Sequence, residues 1–204
     1  MDYDAYWRTR GPHDVQPRVR LIAGLIQPGA SVYDVGCGDG TALAYLRQTR
    51  HIEAYGCDLS EVAVRMAQEK GLHVQVCDVT APDFRFTDTF DYIILSEVIE
   101  HIPDPEALLQ KAGGHFHQSL IITIPNIGHI KHRARLLFGR FPVQWVYHPG
   151  EHLRYWTVLD FARWARDLGF RVTALHVSNG TPWLCKRWPN LFANQVVFVL
   201  QNED

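Results

Sequence analysis

Val32-Tyr33-Asp34-Val35-Gly36-Cys37-Gly38-Asp39-Gly40-Thr41 joins an apolar run to a helix-like pattern through three alternating glycines. Glycine lacks a Cβ, so such a turn can be sharp and a ligand can lie against its main chain. The first N–H groups of the following helix then point into the turn. Asp34 adds a carboxylate at the end of the strand. On its own the decapeptide is also compatible with an ordinary strand-to-helix turn, so the rest of the chain decides.

Outward from this stretch, strands and helices alternate. Ser31–Val35 reads as the first strand, Thr41–Arg50 as a helix and Ile52–Cys57 as the second strand. Ser60, with Glu61 behind it, caps a helix to Lys70 that Gly71 closes. His73–Cys77 is a third strand, and the strongly apolar Phe90–Ser96 a central fourth. Asp104-Pro105-Glu106 opens a helix through Lys111, and Ser119–Ile124 is a fifth strand. Helices are expected at Arg18–Ile26, His129–Phe138 and Thr157–Leu168, and last strands at Arg171–Val177 and Gln195–Leu200. Alternation of this kind makes a mostly parallel, doubly wound α/β sheet with helices on both faces. Only a loop, Ser178–Asn194, separates the last two strands, so these are expected to pair antiparallel.

Ligands of doubly wound sheets sit at the carboxyl ends of the strands. Strand two ends at Asp58, 22 residues after Gly36, a distance that suits a carboxylate on ribose hydroxyls. Strand three ends at Asp78, placed to accept from the amine of a base, and strand four at Ser96-Glu97. Three acids at successive strand ends beside a glycine turn point to nucleoside binding.

The totals agree with a soluble globular chain. The 204 residues suit a single domain, 1–204, with an N-terminal helical segment over 1–28 and an insert over 126–156. Apolar content is 47% and charged content 21%, and no run is long enough to span a bilayer. The acidic, aromatic start Met1-Asp2-Tyr3-Asp4 is no secretory signal, so a cytoplasmic location is expected. Cys37, Cys57, Cys77 and Cys185 show neither a disulfide framework nor a zinc pair and read as small, buried, reduced residues. The net charge of −2 offers no global field for nucleic acid. The insert differs: it carries Lys131, Arg133, Arg135, Arg140 and Arg154 against Glu151.

These residues resemble a class I S-adenosylmethionine-dependent methyltransferase. Asp34-Val35-Gly36-Cys37-Gly38-Asp39-Gly40 matches that family's D/E-x-G-x-G-x-G loop, Gly56-Cys57-Asp58-Leu59-Ser60 its ribose-binding segment, and Cys77-Asp78-Val79 its adenine-binding segment. Phe90–Ser96 matches the strand whose end runs along the methionine part. The resemblance implies a Rossmann-like seven-stranded sheet with an antiparallel C-terminal strand. It also implies S-adenosyl-L-methionine as cofactor, held by Asp34, Gly36, Cys37, Gly38, Gly40, Asp58, Leu59, Asp78, Val79 and Ser96.

Glu97-Val98-Ile99-Glu100-His101-Ile102-Pro103-Asp104-Pro105 resembles a run of ubiquinone-type O-methyltransferases and related small-molecule enzymes. The C-terminal half, through Pro125-Asn126-Ile127-Gly128-His129 and His152-Leu153-Arg154-Tyr155-Trp156-Thr157, resembles two further groups. One methylates polysaccharide precursors and natural products. The other is the MetW-like proteins of methionine biosynthesis, whose pattern lacks the acid-acid-His run. The first implies methyl transfer to a hydroxyl of a small molecule. The alternatives are a MetW-like non-catalytic partner of an acyltransferase and an RNA 2′-O-methyltransferase.

Glu97, Glu100 and His101 share one face if their turn is helical, and His152 follows 51 residues after His101. Three roles stay open for this set: a general base with its orienting acids, a structural network, or ligands of a divalent metal such as Mg. The metal set resembles that of the small-RNA 2′-O-methyltransferases. On the insert, Tyr155, Trp156, Arg133 and Trp145 are candidates, with His152, for the acceptor side; Trp183, Leu184 and Trp188 are further candidate wall residues. Tyr6 and Trp7 belong to an N-terminal segment that closes over the cofactor in many relatives.

Overall fold

The computed structural model describes residues 2–11, 13–144 and 151–203. Seven strands form one sheet in the order β3-β2-β1-β4-β5-β7-β6. They are β1 (Ser31–Val35), β2 (Glu53–Asp58), β3 (His73–Val76), β4 (Phe90–Ser96), β5 (Phe116–Pro125), β6 (Phe170–Gly180) and β7 (Ala193–Asn202). β1 to β5 run parallel, and β7 pairs antiparallel with both β5 and β6. The doubly wound sheet and its antiparallel end are therefore as expected. The order reverses between β1 and β4, which opens a crevice at their carboxyl ends.

Both faces are covered because the central strands are apolar on both sides. In β4, Ile93 and Leu95 enter the core with Leu109, Phe161 and Phe198. Tyr92 and Ile94 enter the opposite core with Ile22, Leu43 and Leu46. Successive strand residues point to opposite faces, so one run feeds two cores. Helices α1 (Tyr3–Thr9), α2 (Pro17–Leu25), α3 (Thr41–Arg50) and α4 (Glu61–Glu69) precede β3 in the chain. α5 (Pro105–Ala112), α6 (Ile130–Leu137) and α7 (Val158–Asp167) follow β4. Ser60, Asp104 and Thr157 cap α4, α5 and α7 by accepting from the third residue on, at 3.0–3.1 Å.

Two features differ from the sequence reading, at 178–194 and at the cysteines. The segment 178–194 is no bare loop: it carries the end of β6, then α8 (Pro182–Arg187) and α9 (Pro189–Phe192), each begun by a proline. Within the 1–28 segment read as helical, residues 3–9 form a helix, started by Asp2 accepting from the Ala5 N–H. Cys57 and Cys77 are joined as a disulfide, with Cα atoms 5.8 Å apart, where reduced residues were expected. Their 20-residue spacing carries no signal of this; sheet pairing of β2 with β3 brings them together. Among the described residues, no helix is long and apolar enough to cross a membrane.

Candidate functional site

The glycine loop is fastened from below. The Gly36 and Cys37 N–H groups both donate to the Cys57 carbonyl, at 2.8 and 3.0 Å. The Gly38 N–H donates to Asp58 Oδ2 at 2.8 Å, and the Ser60 N–H to Asp58 Oδ1 at 2.9 Å. Asp58 thus holds the loop and starts α4 with one carboxylate. Gly38 has φ +54°, and a Cβ there would lie 2.5 Å from the Trp7 ring, so only glycine suits the position. Trp7 reaches the loop because α1 is docked on α4: Asp4 accepts from the Ser60 hydroxyl at 2.5 Å and from the Val62 N–H at 3.2 Å.

A cleft of 740 Å³ opens above the loop. Every residue assigned from sequence to the cofactor borders it except Gly40, which caps α3 with a left-handed φ of +74° and no side-chain hydrogen bond. Asp34 is buried and its Oδ1 has no partner among the described residues. Burial, and then the neighbouring Asp58, push the Asp34 carboxyl up to about 7. Burial also raises Asp58, outweighing its N–H donors. Two acids held so close in a cleft favour a ligand that brings positive charge. Asp78 is exposed at the cleft edge, with Oδ1 bonded to the Thr80 N–H and hydroxyl at 2.8 and 2.6 Å. Ser96 accepts from Arg18 Nε at 3.2 Å and sits 3.1 Å from the Thr123 hydroxyl. Tyr3, Tyr6 and Trp7 complete the rim, so the N-terminal segment does close over this half.

The opposite half is built on a 3₁₀ turn, Ile99–His101. Glu97 precedes it with φ +58° and accepts from Thr123 at 3.0 Å. Glu100 is fully buried, and neither carboxylate oxygen has a partner among the described residues. Burial, and then Glu97, raise its carboxyl well above the ordinary range. The Glu100 carbonyl accepts from the Leu153 and Arg154 N–H groups at 2.7 and 3.2 Å, which pins the end of the insert here. His101 Nδ1 lies 2.7 Å from the Glu151 carbonyl. With that nitrogen donating, Nε2 is left as the acceptor. His152 meets His101 edge to face at 4.8 Å between ring centres. Burial, and then His101, push His152 down to about 4.

Glu100, His101 and His152 each offer one ligand atom, all within 4.8 Å of one another. The structure brings together three members of the metal set read from sequence. Glu97 stands outside that group, because its left-handed backbone leaves the helical face and Thr123 holds its carboxylate.

The acceptor candidates divide. His152 borders the cleft. Tyr155 packs on Phe141 and His152 behind it, at 5.7 and 6.2 Å. Trp156 is buried against Phe161 and Trp164, a core residue rather than a wall of the cleft. Arg133 donates to the Gly128 carbonyl at 2.6 Å and stays on the outside of α6. Trp145 lies outside the described residues. Trp183 and Trp188 are exposed on α8 and just beyond it, away from the cleft. Sequence reading missed His132 and Gln144, which do border the cleft. The spacing of His129 and His132 on one turn of α6 was the available signal.

This fold, with its glycine loop and strand-end acids, is that of the class I S-adenosylmethionine-dependent methyltransferases. The chain belongs to the family described as methionine biosynthesis protein MetW, whose model matches residues 16–200. It carries the acid-acid-His run although the MetW-like pattern was expected to lack it.

Among curated relatives, the ubiquinone biosynthesis O-methyltransferase of Pseudomonas syringae pv. tomato is 29% identical over 181 residues, covering 78% of this chain and 73% of that one. A probable tRNA methyltransferase 9B of Mus musculus is 38% identical over 90 residues, 44% of this chain. The chain spans only 19% of that relative's length. A methyltransferase solved with the Haloferax volcanii Trm112 activator superposes with a TM-score of 0.71 at 18% identity, covering 100% of this chain and 96% of that one. Magnesium protoporphyrin IX methyltransferase of Synechocystis, solved with bound SAH, gives 0.66 at 18% identity, over 99% of this chain and 94% of that one.

Proposed function

We propose that the chain binds S-adenosyl-L-methionine in the cleft and transfers its methyl group to a hydroxyl of a small molecule. The acceptor is a sugar, a polysaccharide precursor or a natural product, and the setting is the cytoplasm. The observation that carries this reading is the Asp58 carboxylate clamped to the Gly38 N–H beneath a cleft whose far wall holds His101. Asp34, Gly36, Cys37 and Gly38 cradle the cofactor, and Gly40 serves it only by starting α3 behind the loop. Asp58 with Leu59 takes the ribose, Asp78 with Val79 the adenine, and Ser96 the methionine end. The unpartnered Asp34 oxygen and the two raised acids fit a cationic ligand.

When bound, the cofactor supplies an activated sulfonium methyl, so the protein needs mainly to position and deprotonate the acceptor. His101, with Nδ1 on the Glu151 carbonyl, presents Nε2 to take the hydroxyl proton. Glu97 and Glu100 frame it. The partnerless oxygens of Glu100 and the neutral imidazole of His152 also fit a divalent cation, Mg or similar, which would lower the hydroxyl's pKa.

The test uses S-adenosylmethionine labelled in the methyl group, offered with methyl glycosides and catechols in one arm and bulk tRNA in the other. Label in a low-mass ether, lost with His101→Ala, supports the reading. Label in tRNA alone contradicts it. Elemental analysis of chelator-free protein, with turnover measured in EDTA, decides the metal: absence of metal and indifference to EDTA remove it.

A further inference from the structure

The one covalent cross-link among the described residues joins the two strand ends that carry Asp58 and Asp78. Cys57 is the last residue before Asp58, and its carbonyl holds the Gly36 and Cys37 N–H groups. Cys77 immediately precedes Asp78, and its N–H donates to the Asp58 carbonyl at 2.9 Å. Both cysteines border the cleft, Cys57 fully buried and Cys77 half-buried. β3 is a four-residue edge strand paired only with β2, and Asp78 lies just beyond its end. Without the cross-link, that end keeps only its hydrogen bonds to β2 and the partial packing of Val79 on the core.

We infer that Cys57 and Cys77 form a reversible thiol–disulfide site on the cleft floor, closed and opened by exchange with soluble disulfides and thiols. Closure holds the two acids in the geometry that a nucleoside needs. The reaction is balanced: two cysteine thiols and one small disulfide give the Cys57–Cys77 bond and two small thiols. Two electrons and two protons pass to the small disulfide. Exchange starts at Cys77, the sulfur side open to the cleft. Cys37 is a poor competitor, because burial and nearby Asp34 push its thiol far up and deny it the thiolate form. Cys185 is buried on α8, outside the cleft.

Opening frees the end of β3, and ordering a few residues again weakens binding by about ten-fold. Linkage makes the effect reciprocal: a nucleoside that binds the closed form about ten-fold more tightly lowers the reduction midpoint of the pair by about 30 mV.

The inference rests on the cofactor reading only for its binding arm. The full chain is equilibrated with oxidised glutathione or with dithiothreitol, and free thiols are counted in denaturant. S-adenosylhomocysteine is then titrated calorimetrically into each form. The expected result is two thiols in the oxidised form, four in the reduced form, weaker binding to the latter, and a Cys77→Ser variant that binds like the reduced form whatever the reductant. Four thiols after oxidised glutathione, or equal affinity of the two forms, overturns the inference and leaves the cofactor reading standing. Two thiols with no binding to either form overturns the cofactor reading and the binding arm with it.

Discussion

The two halves of the cleft are built on opposite plans. On the cofactor half, the loop N–H groups, Asp58, Ser60 and Cys57 satisfy one another, and among the described residues only an oxygen of Asp34 is left over. On the acceptor half, both oxygens of Glu100, Nδ1 of His132 and His152, and Oε1 of Gln144 are buried without partners among the described residues. An unpaired buried polar atom costs about 1–3 kcal/mol. The first half is therefore finished before any ligand arrives, whereas the second stores a cost that a ligand can relieve. The difference continues outside the cleft. Leu137 and Phe138, at the end of α6, are 81% and 79% exposed, far from the packing around β1 and β4.

Five substitutions break or sharpen this contrast. The largest effect belongs to Trp156→Ala. It empties a site packed against Phe161 and Trp164 and should cost about 3–5 kcal/mol of stability in denaturant unfolding. Its binding of S-adenosylhomocysteine should be nearly unchanged at temperatures where it is folded; a selective loss of acceptor turnover at full stability would return Trp156 to the cleft wall. Next comes Asp58→Ala, which removes the acceptor of two N–H groups and the expected ribose contact. Calorimetry should show a loss of about 2–3 kcal/mol in S-adenosylhomocysteine affinity, as for hydrogen bonds to a charged group.

The pH dependence of stability separates Asp34 from His152 by sign. Asp34, raised by burial from 3.8 to about 7, holds its proton longer folded than unfolded, so its contribution falls as pH rises across that window. His152, lowered by burial from 6.5 to about 4, contributes fully above its unfolded value and loses that contribution as pH falls toward 4. In melting curves from pH 4 to 7, the advantage of wild type over Asp34→Asn should shrink with rising pH, and that over His152→Asn should grow. Parallel trends would mean that one of the two carboxyl or imidazole environments is wrong. The smallest effect is that of Arg133→Ala, which removes one bond to the Gly128 carbonyl and should cost about 0.5–1.5 kcal/mol with no change in cofactor affinity.

The cofactor half was legible in the sequence because its geometry is local. Gly36 to Gly40 and the acid at each strand end need only strand, turn and helix in the right order, and capping residues such as Ser60 mark the boundaries. The acceptor half depends on contacts between distant segments. Glu100 meets His152 because the insert returns to the Glu100 carbonyl, which no spacing encodes. Glu97 left the expected face through a single left-handed residue. Trp156 carries the aromatic signature of a binding wall, yet packing against Phe161 and Trp164 of α7, which lies on β6 and β7, makes it core. The Cys57–Cys77 pair likewise follows from sheet order alone.

The most direct measurement is hydrogen–deuterium exchange with and without S-adenosylhomocysteine. The ligand should slow exchange of the amides over 34–41 and 57–60 while leaving 130–144 unchanged. Unchanged exchange over the glycine loop, or protection confined to α6, would contradict the assignment of the cofactor to that half of the cleft.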